Sequence, residues 1–326
     1  MKPRLVFVHG IGAPRDAAAE RDEWLRAVAA GARAAGHSAS VSGLTGGWAA
    51  DARFAYYGDL FRTAGAQGGG ATPAGPAGAT REPDDELLAA LLLEAVDARL
   101  ADPSPPDPAE HRALRAARVR LAPPAGAQGA GAPARRVVNA VTSLLAVPGL
   151  RALGGRLTAR VTAGMLGQVA RYLNRGEPDG DTTLDQRIRA RVAESLDPEG
   201  PNIVVAHSLG TVVALETLHE HPVDVPLFVT LGSPLGIRTA VLPRVRPHPL
   251  GTPAAVGRWL NFWDRDDLVA ARPRLEDVVR PNAAAVVPAS RRVDSDGAWV
   301  HPAAKYLAQP AVAGPLVEAL TTLTER

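Results

Sequence analysis

The chain has 326 residues, 46% of them hydrophobic, and is long enough for one large α/β domain with an insertion or for two small domains. Its 36 basic and 34 acidic residues nearly balance, which argues against a nucleic-acid-binding protein; the absence of cysteine excludes disulfides, thiolate metal sites and a cysteine nucleophile. The apolar run before His9 is too short for a signal peptide, so we expect a cytoplasmic protein. We also expect no metal site.

The N-terminal part of the chain predicts a strand, a helix and two further strands. "RLVFVHG" is a short apolar run that ends in glycine, which is typical of a buried strand entering a loop. Apolar residues recur at helical spacing between residues 17 and 35 and predict a helix there. "SASVSGL" and "RFAYYGDLF", residues 38–44 and 53–61, are candidates for the second and third strands.

Residues 61–173 have a different texture and are expected to form a helical insertion. Two stretches rich in Gly, Ala and Pro, residues 63–80 and 122–134, are predicted to be flexible links. Helices are predicted at residues 84–100 and 109–121, and an apolar region covers residues 137–173 with breaks near Pro148 and Gly154. Its arginines leave no apolar run of about 20 residues, so no transmembrane segment is expected, whereas interfacial contact with lipid stays open.

From residue 184 onward the pattern alternates between helices and strands. An amphipathic helix is predicted at residues 184–196, then a strand in "IVVAHS" and a helix in "LGTVVALETLHEH". "PLFVTLG" and "RWLNFWD" predict two more strands, and "AVAGPLVEALTTL" predicts a C-terminal helix. Such alternation indicates βαβ crossovers and a mostly parallel sheet.

The pentapeptide "AHSLG" places Ser208 between small residues at the end of a predicted strand and directly before a predicted helix. This is the pattern of a nucleophile elbow, a strained strand-to-helix turn that needs small residues two positions before and two after the serine. Ala206 and Gly210 meet that need, with Ala206 standing where the G-x-S-x-G pattern usually has glycine. A serine that only caps the following helix is the alternative interpretation.

A second motif, "HGIG" at residues 9–12, follows the first predicted strand. A loop in this place can present a backbone N–H to an oxyanion, beside the N–H of the residue that follows the nucleophile. The donors would be Ile11 and Leu209. A plain glycine-rich turn is the alternative.

A serine nucleophile needs a base and a carboxylate that orients the base. Three aspartates follow a predicted strand in "WLNFWDRDDLVAAR". We prefer Asp267 as the triad acid because the apolar residues after it can anchor its loop, whereas Asp264 and Asp266 flank Arg265 and are expected to form a solvated surface cluster. That all three are surface charge is the alternative.

Of the eight histidines, His301 is the candidate base. It stands 34 positions after Asp267, which leaves room for one crossover and one strand, and it completes the order Ser, Asp, His. His9 belongs to the predicted oxyanion loop, and His207, the neighbour of Ser208, is expected to point elsewhere.

Together, "VFVHGIG", "VVAHSLGT", "VTLGSPLG" and "NFWDRDDLV" resemble the α/β-hydrolase superfamily, and within it the bacterial lipase and esterase branch related to GPI inositol-deacylase-like serine hydrolases. The resemblance covers about residues 4–60 and 180–326 and excludes the insertion. It implies an α/β-hydrolase fold with a mostly parallel central sheet of eight strands or fewer, flanked by helices. It also implies a cap over the site, an acyl-serine mechanism and no cofactor. With the helical insertion at residues 61–173 as that cap, we expect the core at residues 1–60 and 174–326.

The site residues that this resemblance implies match the candidates found above: Ser208, Asp267, His301, Ile11 and Leu209. It also places "GSP", residues 232–234, in a tight turn near the pocket, although an ordinary turn explains that segment equally well.

We therefore expect a serine hydrolase that cleaves a carboxylic ester or thioester of a small-molecule or lipid-like acyl substrate. Acyl transfer or macrocyclisation by the same triad, a peptidase, and a non-catalytic binding module are the alternatives. The insertion is expected to be a mobile cap that sets substrate choice, the alternative being that its helices pack permanently on the sheet as ordinary core.

Overall fold

The computed structural model describes residues 2–11, 16–47, 49–61, 82–103, 106–122, 132–144, 159–295 and 300–325. Their centre is a six-stranded parallel sheet with the order β2-β1-β5-β6-β7-β8, and a separate two-stranded antiparallel hairpin pairs β3 with β4. The strands are β1 Arg4–Val8, β2 Asp51–Ala55, β3 Pro178–Asp179, β4 Thr182–Thr183, β5 Asn202–His207, β6 Leu227–Leu231, β7 Trp259–Asp264 and β8 Pro288–Val293.

Helices flank this sheet, which makes the chain an α/β protein, as predicted. They are α1 Ala17–Ala34, α2 Val41–Thr45, α3 Glu82–Leu100, α4 Pro108–Leu121, α5 Ala132–Leu144, α6 Ala159–Asn174, α7 Leu184–Ala193, α8 Leu209–Glu220, α9 Ala303–Leu307 and α10 Pro310–Thr324. None of the helices in the described ranges is long and apolar enough to cross a membrane.

Each face of the sheet has its own hydrophobic core, because successive side chains of a strand point to opposite faces. In β1, Val6 and Val8 belong to one core, whereas Leu5 and Phe7 belong to the other. The helices α1, α9 and α10 cover the core of Leu5 and Phe7. Both sides of the sheet are therefore buried, which explains why its strands are nearly continuous apolar runs.

The helices of the predicted insertion pack on the core that contains Val6 and Val8. Buried residues from all four of them belong to it, among them Leu88, Leu114, Val137 and Leu173. Its last helix, α6, is also tied to α8, since the buried Tyr172 hydroxyl donates to the Glu216 carboxylate at 2.6 Å. This arrangement matches the alternative of ordinary core packing, and the domain limits at residues 60/61 and 173/174 stay a prediction.

The predicted strand at residues 38–44 is wrong. This segment forms a short 3₁₀ turn, Ser38–Ser40, followed by α2. Val41 and Leu44, three positions apart, lie on one side of α2 and are both buried, whereas the same spacing in a strand would place them on opposite faces. Residues 53–61 are a strand only in part, because β2 ends at Ala55 and a 3₁₀ turn follows at Gly58–Phe61.

The other predicted elements lie close to their predicted positions, whereas β3, β4 and β8 had no predicted counterpart. The parallel register brings the ends of the central strands together. Val8 pairs with Ala206, and His207 pairs with Leu231, so β1, β5 and β6 end at the same edge of the sheet. Most of the predicted flexible links, at residues 62–81 and 123–131, lie outside the described residues, as do the predicted breaks near Pro148 and Gly154.

Candidate active site

Ser208 lies at the sharp turn between β5 and α8 and is 3% exposed. Its backbone has φ 55° and ψ −130°, a conformation that costs energy for any residue with a side chain and that persists only where the surrounding fold imposes it. Within the described residues its hydroxyl makes no capping hydrogen bond to α8, which argues against the helix-cap interpretation.

The structure brings Ser208, His301 and Asp267 into one hydrogen-bonded chain. Nε2 of His301 lies 3.1 Å from Oγ of Ser208, and Nδ1 lies 2.8 and 3.0 Å from the two carboxylate oxygens of Asp267. Because a carboxylate can only accept, the ring proton belongs on Nδ1, and Nε2 is left to accept the serine proton. The three predicted triad residues thus have the geometry that general-base activation of a serine requires.

Asp267 is 4% exposed and is held by three donors. Besides His301, the Tyr306 hydroxyl donates to Oδ2 at 2.6 Å and the Val269 N–H donates to Oδ1 at 3.0 Å. Burial by itself raises the pKa of Asp267, but the His301 ring and these hydrogen bonds outweigh it and bring the pKa below its ordinary value. The buried carboxyl is therefore ionised.

Tyr306, on α9, is a residue of the site that the sequence did not reveal. It is fully buried, and its hydroxyl also accepts a hydrogen bond from the Asp264 N–H at 3.1 Å. Burial and the neighbouring charge of Asp267 raise the tyrosine pKa well above its ordinary value, so the phenol stays protonated and donates. A tyrosine five residues after a histidine carries no recognisable motif, which is why only the tertiary structure identifies it.

From the sequence, His207 is expected to point away from the candidate site, but in the structure it contacts the candidate base, His301. Its Nε2 lies 2.7 Å from the backbone carbonyl oxygen of His301, and the two rings are 4.6 Å apart. Burial lowers the pKa of His207 to about 3, with help from the nearby His301 ring. The ring is therefore neutral and donates from Nε2, since a carbonyl oxygen can only accept.

Asp264 corrects the expectation of a solvated cluster. It is 3% exposed, and its carboxylate accepts hydrogen bonds from the Asp266 N–H at 3.0 Å and the Ser295 N–H at 2.6 Å. Only Asp266 is a surface residue, with 60% of its side chain exposed. Asp264 is buried because it stands at the end of β7, where neighbouring loops enclose it. Its hydrogen bonds stabilise the loop after β7, whereas Asp267 contacts His301.

The loop after β1 is held against Ser208 from two sides. The buried Tyr57 donates its hydroxyl to the His9 carbonyl at 2.5 Å and its N–H to Nε2 of His9 at 3.0 Å. A Cβ on Gly10 would lie 2.6 Å from Cβ of Ser208, and one on Gly210 would lie 2.2 Å from the His9 carbonyl oxygen. Both positions therefore exclude any side chain.

The two predicted oxyanion donors lie next to these close contacts. Ile11 follows Gly10, which touches Ser208, and Leu209 opens α8, where backbone N–H groups have no partner within the helix. Their role as an oxyanion hole stays a prediction.

The segment "GSP", residues 232–234, bends sharply at Gly232 beside Asp267. Gly232 has φ 54°, and a Cβ there would lie 2.6 Å from Oδ2 of Asp267. The Ser233 hydroxyl lies 2.8 Å from that of Thr211, which in turn donates to the Ser208 carbonyl. In the described part of the chain, no cluster of three or more His, Asp or Glu side chains is arranged to hold a metal ion.

Comparisons of the chain with protein-family models, with curated proteins and with solved structures find no match. The function is therefore argued from the geometry of the site alone.

Proposed function

We propose that this chain is a serine hydrolase of the α/β-hydrolase type that cleaves a carboxylic ester or thioester of a small-molecule or lipid-like acyl substrate. The observation that carries the proposal is the hydrogen-bonded chain from Ser208 through His301 to Asp267, built on a strained turn at the end of a parallel strand. Such a turn keeps the serine in a fixed position at the sheet edge, and a serine hydroxyl becomes a good nucleophile only beside a base.

In the proposed reaction, Oγ of Ser208 attacks the substrate carbonyl while Nε2 of His301 takes the hydroxyl proton. The buried carboxylate of Asp267 stabilises the imidazolium that forms. The N–H groups of Ile11 and Leu209 stabilise the oxyanion, with a contribution on the order of 3 kcal/mol for each donor. Collapse of this intermediate breaks the bond to the alcohol or thiol, which leaves with the proton from His301. Water then attacks the acyl-serine by the same route.

The proposal is tested by labelling the protein with a fluorophosphonate and locating the adduct by mass spectrometry. The label is expected on Ser208, and Ser208→Ala is expected to lose both the label and hydrolysis by several powers of ten, because triad residues act as a unit. Ser195→Ala is the matched control, since this partly buried serine only donates to the Arg191 carbonyl. Label on another serine, or none on the folded protein, contradicts the proposal.

A panel of p-nitrophenyl esters of increasing chain length, acyl thioesters and peptides identifies the substrate class. Hydrolysis of esters or thioesters is expected to exceed that of peptides. Product analysis in the presence of added alcohols and amines separates hydrolysis from acyl transfer, because both proceed through the same acyl-serine. Cleavage of peptides alone would replace the proposed activity with that of a peptidase.

A further inference from the structure

The charged residues of this chain are segregated along its sequence. The 66 residues between Glu110 and Glu177 contain 11 arginines and no aspartate, glutamate or lysine. At the average acid content of the chain, 34 in 326, about seven acids would be expected there. The other 260 residues carry 25 basic and 34 acidic side chains. The net charge of the chain is therefore close to zero although this segment is strongly cationic.

Helix α4 presents part of this segment on the surface. Its inner side, with Leu114, Ala117 and Leu121, is buried. Its opposite side is exposed and is called the α4 outer face; it consists of Arg112, Arg115, Ala116, Val119 and Arg120. These positions recur at three- and four-residue spacing and so lie on one stripe of the helix.

The arginines of the α4 outer face lack close ion pairs, although the carboxylate of Asp107, at the start of α4, is near enough to attract Arg112. Within the described ranges, no ion pair of 4 Å or less joins Arg112, Arg115 or Arg120 to a carboxylate, although Arg118 beside them pairs with Asp97 of α3 at 2.6 Å. Val119 lies among them, and 68% of its surface is exposed, a larger fraction than for any other large hydrophobic residue in the described ranges.

We propose that the α4 outer face docks this protein on an anionic lipid surface. Arginines without a close carboxylate partner are attracted to lipid phosphates and carboxylates, and an aliphatic side chain among them can enter the headgroup layer. Nε of Arg115 donates to Nε2 of His111 at 3.3 Å, a contact that leaves the charge of the guanidinium in place. The five residues of the face include no aromatic ring on which a nucleobase could stack and no amide or hydroxyl side chain that could read one, and the neighbouring ring of His111 is hydrogen-bonded to Arg115. The chemistry of the face therefore favours a lipid surface over a nucleic acid. This proposal does not depend on the hydrolase activity.

The test measures binding of the purified protein to phosphatidylserine/phosphatidylcholine vesicles and to phosphatidylcholine vesicles by co-sedimentation. Binding is expected to require phosphatidylserine and to weaken with added salt. The triple variant Arg112→Gln, Arg115→Gln, Arg120→Gln is expected to bind about a hundredfold more weakly, given roughly fivefold for each arginine at an anionic surface. Glutamine preserves the helix, and Val119→Ser tests the aliphatic contribution.

The matched control removes the same charge from exposed arginines elsewhere, with Arg26→Gln, Arg258→Gln and Arg280→Gln. This variant is expected to bind vesicles like the wild type, and so is Ser208→Ala, which separates docking from catalysis. Equal loss in the two triple variants, or equal binding to both vesicle types, overturns the proposal. Binding of duplex DNA that the α4 variant loses, without vesicle binding, would assign the face to nucleic acid instead.

Discussion

At the scale of single residues, two buried aspartates three positions apart have different partners. Asp267 contacts the ring of His301, whereas Asp264 accepts from two backbone N–H groups. Asp267→Asn is expected to lower kcat by several powers of ten, because the neutral amide neither stabilises the imidazolium nor fixes its tautomer. The measurement is kcat on the best ester of the substrate panel.

Asp264→Asn is the matched comparison. Its amide nitrogen would face a backbone N–H in place of an acceptor, so we expect a loss of about 1–3 kcal/mol in unfolding free energy, with kcat of the folded enzyme little changed. Urea denaturation and kcat measured on the same samples distinguish the two effects. A larger fall in kcat for Asp264→Asn than for Asp267→Asn would move the triad role to Asp264.

Tyr306→Phe removes one donor from Asp267 and leaves the packing nearly intact. The hydrogen bond from Tyr306 lowers the pKa of the Asp267 carboxyl, so this pKa is expected to rise when the bond is removed. We therefore expect the acid limb of the kcat/KM profile to move to higher pH. Tyr56→Phe, at a tyrosine whose ring stacks on His9, serves as a control. A lower kcat with an unmoved profile would indicate that Tyr306 only supports the packing of α9.

From the sequence, the three residues of the candidate triad are easier to predict than the residues that position them. Ser208, Asp267 and His301 follow strands at the same sheet edge in a recognisable order, so local pattern was enough. Tyr306 and His207 act through contacts that join distant parts of the chain, and no local pattern encodes these contacts.

At the scale of elements, side chains of α3 form hydrogen bonds and an ion pair with two loops that border the candidate site. Glu94 is 9% exposed and accepts from the N–H groups of Arg238 and Thr239 at 2.8 Å each, in the loop after β6. Arg99 pairs with Asp266 at 3.6 Å, next to Asp267 in the chain. Helix α3 thus supports the framework of the candidate site.

Glu94→Gln replaces an oxygen that accepts a backbone N–H with a nitrogen that cannot accept. Burial raises the pKa of Glu94, but its hydrogen bonds outweigh this effect and lower it, so the wild-type group is a carboxylate at neutral pH. We expect a loss of about 1–3 kcal/mol in unfolding free energy, together with faster hydrogen exchange in the loop at residues 235–242. Glu86→Gln, at an exposed position of α3, is expected to change neither. Equal effects of the two variants would show that Glu94 does not fix this loop.

The elements that the sequence predicted correctly have a local pattern that is typical of one type of secondary structure. Buried parallel strands such as β5 and β6 are continuous apolar runs between turn residues, and α1 has a long apolar stripe. The segment that became α2 is short and has only two buried residues, three positions apart, which suit one face of a helix or the two opposite faces of a strand. Tertiary packing decided between the two, and this packing is not visible in seven residues.

At the scale of the whole molecule, the buried histidine beside the candidate site couples folding to pH. His207 has a pKa of about 3 in the folded protein, against about 6.5 in an unfolded chain. A depressed histidine pKa means that the unfolded state takes up a proton first as the pH falls. The stability associated with this group is therefore complete above pH 6.5 and is lost progressively between pH 6.5 and about 3.

Between pH 7 and pH 5 this linkage is expected to lower the unfolding free energy by roughly 2 kcal/mol for one histidine. His207→Gln keeps a donor for the His301 carbonyl but cannot take up the proton, so its stability should fall less over the same range. The partly buried His219, whose pKa burial also lowers, contributes equally to both proteins and cancels in the comparison. Urea denaturation at pH 7, 6 and 5 provides the two slopes, and parallel slopes would show that His207 is as easily protonated in the folded protein as in the unfolded chain.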